Sequence, residues 1–194
     1  MKKLLIALLL LPTTLMSVAN AGDFTIGTEF GKAYSHVQDH KNLEKDAGSF
    51  SIGWLSDSGT GLEVKHSKVS ASTVNGSVPY GDGNIVTYDN IEDKMNTLAV
   101  VKQYSISNDS ALLLKLGVSD VTVSTKVKTQ LLPVNPSEYS PTSTVVSKSD
   151  YTALYSYVGA AYKLDGAILS VGVDYYKNGD LEIVMPVAGV RINF

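Results

Sequence analysis

The chain has 194 residues, no cysteine, 18% charged residues and a formal net charge of −3. That length fits one domain, and an acidic balance with no basic run argues against a nucleic-acid partner. The missing cysteines exclude disulfides, thiolate metal sites, a cysteine nucleophile and a lipidated cysteine.

Residues 1–21 begin Met1-Lys2-Lys3, continue as an apolar run from Leu4 to Leu11 and end Ala19-Asn20-Ala21. A basic start, a short apolar centre and an A-x-A ending are the three parts of a secretory signal peptide. Cleavage after Ala21 is expected, which leaves 22–194 as the mature domain. Nothing in that remainder approaches the roughly 18–20 apolar residues of a transmembrane helix. Any membrane span must therefore be β.

From Phe24 onward the apolar residues fall on every second position, the period of strands. Phe24, Ile26, Phe30 and Tyr34 share one face of the first window, with Thr25, Gly27, Glu29 and Gly31 on the other. Phe50, Ile52 and Trp54 mark a second strand, Leu62 and Val64 a third, and Leu98, Val100, Tyr104 and Ile106 a fourth. Leu112 to Val118 form the fifth, Leu154 to Tyr162 the sixth, Leu169 to Tyr175 the seventh and Val184 to Phe194 the last. Eight strands are expected. Tight turns at Ser56-Asp57-Ser58-Gly59, Ser107-Asn108-Asp109-Ser110 and Asp165-Gly166 alternate with long polar segments at about 35–47, 69–95 and 122–150, read as loops. The last connection, Lys177-Asn178-Gly179-Asp180, is short and breaks that alternation.

Short turns at one end and long loops at the other are the asymmetry of outer-membrane barrels. A soluble β-sandwich also alternates, but small residues have little reason to collect opposite its apolar face, as Gly, Ala and Ser do here. The predicted fold class is therefore all-β: an eight-stranded antiparallel up-and-down transmembrane β-barrel with short periplasmic turns and long extracellular loops. Aromatic residues sit where the two interfacial girdles belong, with Phe24, Trp54, Tyr104, Tyr162 and Phe194 at the periplasmic ends and Tyr34 and Tyr175 near the outer ends.

The ending Val184 to Phe194, alternating and closed by Phe, resembles the C-terminal assembly signal of Gram-negative outer-membrane proteins. The segment Val158-Gly159-Ala160-Ala161-Tyr162-Lys163-Leu164-Asp165-Gly166 is similar to hairpins of the small porin-like OmpA-type and OmpX-type barrels. The resemblance implies insertion by the outer-membrane assembly machinery through Phe194. It does not extend to a peptidoglycan-binding domain, and the short fourth loop is unlike those of invasion-type members.

Glu29, Glu63, Lys65, Gln103, Lys115 and Arg191 all lie on the inward parity. Unpaired charges in a narrow lumen are costly, so a structural ionic network of Glu29, Glu63, Lys65, Lys115 and Arg191 is predicted, with Glu29 and Arg191 as partners and Tyr155 and Tyr157 filling the bore above. An eight-strand barrel holds side chains but no water column. No catalytic group is expected: His66 faces outward beside Ser67 and Lys68 with no carboxylate at the spacing a lipid-A deacylase needs. His36 and His40 lie in a polar loop, where a metal is not expected, and no cofactor is either. The acidic run Asp82, Asp89, Glu92 and Asp93 reads as a solvated loop, and Lys126, Lys128 and Lys148 as candidates for lipopolysaccharide phosphates. The sequence thus points to a non-enzymatic, monomeric outer-membrane protein acting in envelope integrity, adhesion or recognition through its loops. A lipid-A-modifying enzyme and a narrow ion-conducting pore are the alternatives.

Overall fold

In the computed structural model, residues 22–37, 43–80, 83–133, 142–179 and 181–194 are described. The expected signal peptide, His40 and Asp82 lie outside them. The strands are β1 (Gly22–Val37), β2 (Leu43–Ser56), β3 (Thr60–Tyr80), β4 (Gly83–Ser105), β5 (Ser110–Pro133), β6 (Thr142–Leu164), β7 (Ala167–Asn178) and β8 (Leu181–Asn193). They form one closed barrel in sequence order, each antiparallel to its neighbours, with β8 returning to β1 through Ile192 opposite Ile26. Closure removes the open edges around the wall. At the end carrying the tight turns, Gly59 and Gly166 adopt positive φ of 75° and 76°. Glycine takes that backbone conformation with no Cβ penalty.

The wall is built inside out relative to a soluble protein. Phe24, Ile26 and Phe30 on β1, Val64 on β3, Leu116 and Val118 on β5 and Val158 on β6 are all exposed on the exterior. Their alternating neighbours Thr25, Glu29, Glu63, Lys65, Lys115 and Ser119 are buried inside. A contiguous apolar outer surface of this kind needs a partner.

The segments 69–95 and 122–150, expected to be loops, are mostly strand. β3 to β6 run 21 to 24 residues, against 12 to 16 for the other four. Likewise only 38–42 separates β1 from β2. Ladder hydrogen bonds satisfy the backbone whatever the side chains are, so the strands continue into Ser, Thr and Lys where the greasy alternation has ended. Pairing of β2 with β3 stops at Asp46 opposite Ser70, and pairing of β6 with β7 at Leu154 opposite Lys177. Above those points β3, β4, β5 and β6 project as a four-stranded sheet, bounded by β3 on one side and β6 on the other.

Candidate functional site

On β3 to β6 the exterior changes character along one continuous rung. Val64, Leu98, Val118 and Leu154 face one another across β3, β4, β5 and β6. Two residues further out the same four strands present His66, Asn96, Asp120 and Thr152, again in register. Above this boundary the interior changes too. Val69, Met95, Val121 and Ile183 are fully buried inside, while Lys68 and Lys94 stand outside. Below it the outside is apolar and the inside charged; above it the assignment is reversed.

The lower bore holds six charged groups from five strands. Arg191 on β8 donates to Glu63 on β3 at 2.9 Å, and Lys115 on β5 donates to Glu63 at 2.7 Å and to Glu29 on β1 at 3.3 Å. Lys65 on β3 bridges Glu29 and Asp174 on β7, the latter at 2.6 Å. All six are buried, with three cations against three carboxylates. Such a cluster is tolerable because no charge is left alone. The expected partnership of Glu29 with Arg191 does not form. Arg191 lies opposite Gly27, while Glu29 lies opposite Gly189. A Cβ on Gly189 would come within 2.6 Å of Glu29 Cγ, so this glycine lets Glu29 lie against β8 while Arg191 reaches Glu63.

Tyrosines fill the space around the network. The Tyr155 hydroxyl donates to Asp174 at 2.7 Å, and its ring packs 5.0 Å from that of Tyr176, which is fully buried. Lys115 Nζ sits 4.6 Å from the centroid of Tyr157. Gly159 and Gly172 are cross-strand partners, and a Cβ on Gly172 would meet the Tyr157 ring at 2.5 Å. The ring therefore lies over a bare patch of backbone, in the manner of an aromatic covering a strand glycine.

Sequence reasoning misses Asp174, Tyr176, Asp93 and Lys45 in this interior. Asp174 and Tyr176 lie on the inward parity of β7, so alternation alone could have included them. Asp93, expected in a solvated acidic loop, is instead fully buried on β4 and accepts from Lys45 of β2 at 2.7 Å. Burial pushes the Asp93 carboxyl above its ordinary range, although Lys45 acts against it. Glu92, the next residue, turns outward and receives Lys68 at 2.8 Å and Lys94 at 2.9 Å. Hydrogen bonds from those two lysines hold its pKa down to about 2.

On the exterior, Phe24, Tyr34, Tyr104, Tyr162 and Phe194 are exposed, with Trp54 and Tyr175 partly so. Phe24 faces Trp54 across β1 and β2, and the Phe194 amide donates to the Phe24 carbonyl at 2.9 Å. Tyr34 and Tyr175 share a rung through Val184. His66 also faces outward, with Nδ1 2.8 Å from Asn96 Oδ1. His36 occupies β1 opposite Glu182. Lys126, Lys128 and Lys148 are exposed on adjacent strands of the projecting sheet, with Lys148 3.7 Å from Asp150. Lys126 faces Val146, and Lys148 is two residues further along β6. Among the described residues, no group of His, Asp and Glu is placed to hold a metal.

No family model matches the chain, and no curated protein matches it. Solved structures do. Ail, the attachment invasion locus protein of Yersinia pestis, in complex with the heparin analogue sucrose octasulfate, superimposes with a TM-score of 0.56 at 12% identity, over 90% of this chain and 99% of Ail. Neisserial surface protein A gives a TM-score of 0.56 at 12% identity, over 88% of this chain and 97% of its own. The chain has the fold of the small eight-stranded outer-membrane barrels, as its C-terminal and hairpin residues implied.

Proposed function

We propose that this is a Gram-negative outer-membrane protein whose work is contact at the cell surface, by adhesion or recognition and in support of the envelope, without catalysis. The observation that carries the reading is the boundary rung, where the exterior turns from Val64, Leu98, Val118 and Leu154 to His66, Asn96, Asp120 and Thr152. An apolar exterior that gives way to polar residues along each of these strands fits a bilayer surface. The exterior aromatics supply the two girdles, and the exposed Phe194, tied to β1, serves as the handle for the assembly machinery.

Within that belt the bore is filled by paired charges and tyrosines, which leaves no water column to carry solutes. The chemistry accessible from outside therefore belongs to the projection. Lys126 is eight residues beyond Val118, roughly 26 Å along β5 at about 3.3 Å per residue. That clears the lipid headgroups and sets Lys126, Lys128 and Lys148 against anionic sugars of lipopolysaccharide or of another surface. Ail binds a sulfated sugar analogue, and three lysines with one nearby carboxylate offer counter-charge of the same kind. His66 bonds an asparagine rather than a carboxylate, which speaks against the lipid-modifying alternative.

The test is calorimetric titration of sucrose octasulfate into the full chain refolded in lipid nanodiscs. Binding that falls at least tenfold in the triple variant Lys126→Glu, Lys128→Glu, Lys148→Glu is expected. Undiminished binding in that variant, or recovery of the protein from cells in detergent-free soluble extract, would overturn the reading.

A further inference from the structure

The two ends of the β6–β7 junction are finished differently. At the tight-turn end the ladder runs through to Leu164 opposite Ala167. At the other end it stops at Leu154 opposite Lys177, and a side chain carries the contact further: the Asn178 amide donates to the Thr152 carbonyl at 2.7 Å. Thr152 belongs to the projecting sheet, where it pairs with Asp120 of β5. Asn178 therefore ties the end of β7 to the base of the projection. Its donor is a neutral carboxamide, and an ionised carboxylate in its place would have no hydrogen to give.

The residue that follows makes that exchange chemically accessible. Gly179 is an exposed turn residue just past the last rung of the β7–β8 hairpin, where Asn178 lies opposite Leu181. Glycine has no Cβ and the freest backbone of any residue, so its nitrogen is the least hindered one that can approach the side chain before it. Nothing lies within 4 Å of where a Gly179 Cβ would stand, which leaves the turn open to water. The chain's other Asn-Gly pair, Asn75-Gly76, lies inside β3, where Gly76 is held opposite Thr87 in the ladder. Reaction there requires the strand to open first.

We infer that Asn178-Gly179 is a site of spontaneous deamidation, and that the reaction unties β7 from the projecting sheet. The Gly179 backbone nitrogen gives up its proton and attacks Asn178 Cγ. The new N–C bond closes a five-membered succinimide, and the side-chain nitrogen takes up a proton and leaves as ammonia. Water then opens the ring at either carbonyl, which gives aspartate or, with the chain rerouted through the side chain, isoaspartate. No oxidant, reductant or enzyme enters. Either product replaces the donating amide with a carboxylate, so the Thr152 carbonyl loses its donor and faces a like partial charge. The hydrogen bond restrains the amide while it lasts, so conversion proceeds from the moments when the tie is open.

The experiment incubates the full chain in lipid nanodiscs at mildly alkaline pH and maps peptide masses over time. Conversion at Asn178 ahead of Asn75, to both aspartate and isoaspartate, is expected, whereas the urea-unfolded chain should convert at both. Gly179→Ala isolates the chemistry. An alanine there meets no neighbour, and Gly179 is not among the positive-φ glycines, so the variant should give the parent's heat-modifiable band and convert at least tenfold more slowly. Asn178→Asp isolates the consequence. The amides of Leu154 and Lys177, the last rung of the ladder, should exchange hydrogen at least threefold faster in that variant and in the aged parent than in fresh parent. A folded protein still unconverted after the unfolded chain has reacted at Asn178, or a Gly179→Ala protein that converts at the parent's rate, overturns the site. Unchanged exchange in Asn178→Asp overturns the untying.

Discussion

The same strands are built in two opposite senses. On β4, Leu98 and Val100 face out while Thr97 and Ala99 face in; further along that strand Met95, Asp93 and Ile91 are buried inside, with Lys94 and Glu92 outside. The burial of ionic groups follows this division. Below the boundary six charges share partners in a web, whereas above it Lys45 and Asp93 form a single pair surrounded by Val69, Met95, Ile91 and Val123. The difference teaches that polar packing in a barrel is set by what bathes the outside. Facing hydrocarbon, the wall places its apolar residues outward, and the interior is left to be filled by charges that must satisfy one another. Facing water, the wall reverts to the rule of soluble sheets, and an internal ion pair becomes an exception.

The largest effect should come from breaking the web at the member whose loss strands a partner. Lys65→Met leaves Asp174 with only the Tyr155 hydroxyl, whereas Lys115→Met leaves Glu29 its bond to Lys65 and Glu63 its bond to Arg191. Removing one partner of a buried pair costs about 3–5 kcal/mol, so Lys65→Met should lose about that much. Lys115→Met should lose about 1–3 kcal/mol, because each carboxylate keeps a charged hydrogen bond. Urea unfolding in lipid vesicles, followed by the heat-modifiable band, measures both. Equal losses would show that the six charges do not act as a shared web.

A middle-sized effect probes the isolated pair through its pH dependence. The Asp93 carboxyl is raised above its ordinary 3.8 by burial among apolar neighbours, with Lys45 opposing and Glu92 assisting. Between 3.8 and that raised value the folded protein holds a proton that the unfolded chain has lost, so stability falls as pH rises through the window. A tenfold difference in proton affinity between the folded and unfolded carboxyl corresponds to about 1.4 kcal/mol. Asp93→Asn removes the slope. The difference in unfolding free energy between parent and variant should therefore change in the variant's favour from about pH 3 upward and level off. A difference that stays flat across the window would place the carboxyl in a wetter setting than the geometry shows.

This division also explains what can be read from the sequence and what cannot. Period-two alternation places Glu29, Glu63, Lys65, Lys115 and Arg191 inside because their outward neighbours Phe30, Leu62, Val64, Leu116 and Val190 are apolar, and parity then leaves no choice. Which carboxylate each cation meets depends on register and on how far a side chain reaches across the bore. The Gly27 and Gly189 positions beside Arg191 and Glu29 are legible only once strands are paired. Asp93 escapes sequence reading for a different reason. Its window, Ile91-Glu92-Asp93-Lys94-Met95, alternates with apolar residues inward, the reverse of the belt below, and a charged residue among them reads as surface. Without knowing where the bilayer ends, the inversion of phase looks like the end of the strand.

The smallest effect sharpens the comparison from the wetted side. Lys68 and Lys94 are direct cross-strand partners, and Glu92 bridges them while all three stand at the surface. Like charges directly opposite in a sheet repel, and Glu92→Gln would expose that repulsion. Exposed ion pairs are worth little, typically about 0–1 kcal/mol, because water and salt screen them. The loss should therefore be about 0.5 kcal/mol at low ionic strength. Raising salt to about 1 M shortens the screening length to about 3 Å, less than the cross-strand spacing, so the gap between variant and parent should close. Lys65→Met, whose charges are sealed inside the bore, should keep its full deficit in the same salt. The opposite response, with the surface variant indifferent to salt and the interior one rescued by it, would mean that water reaches the lower network and that the bore is not filled.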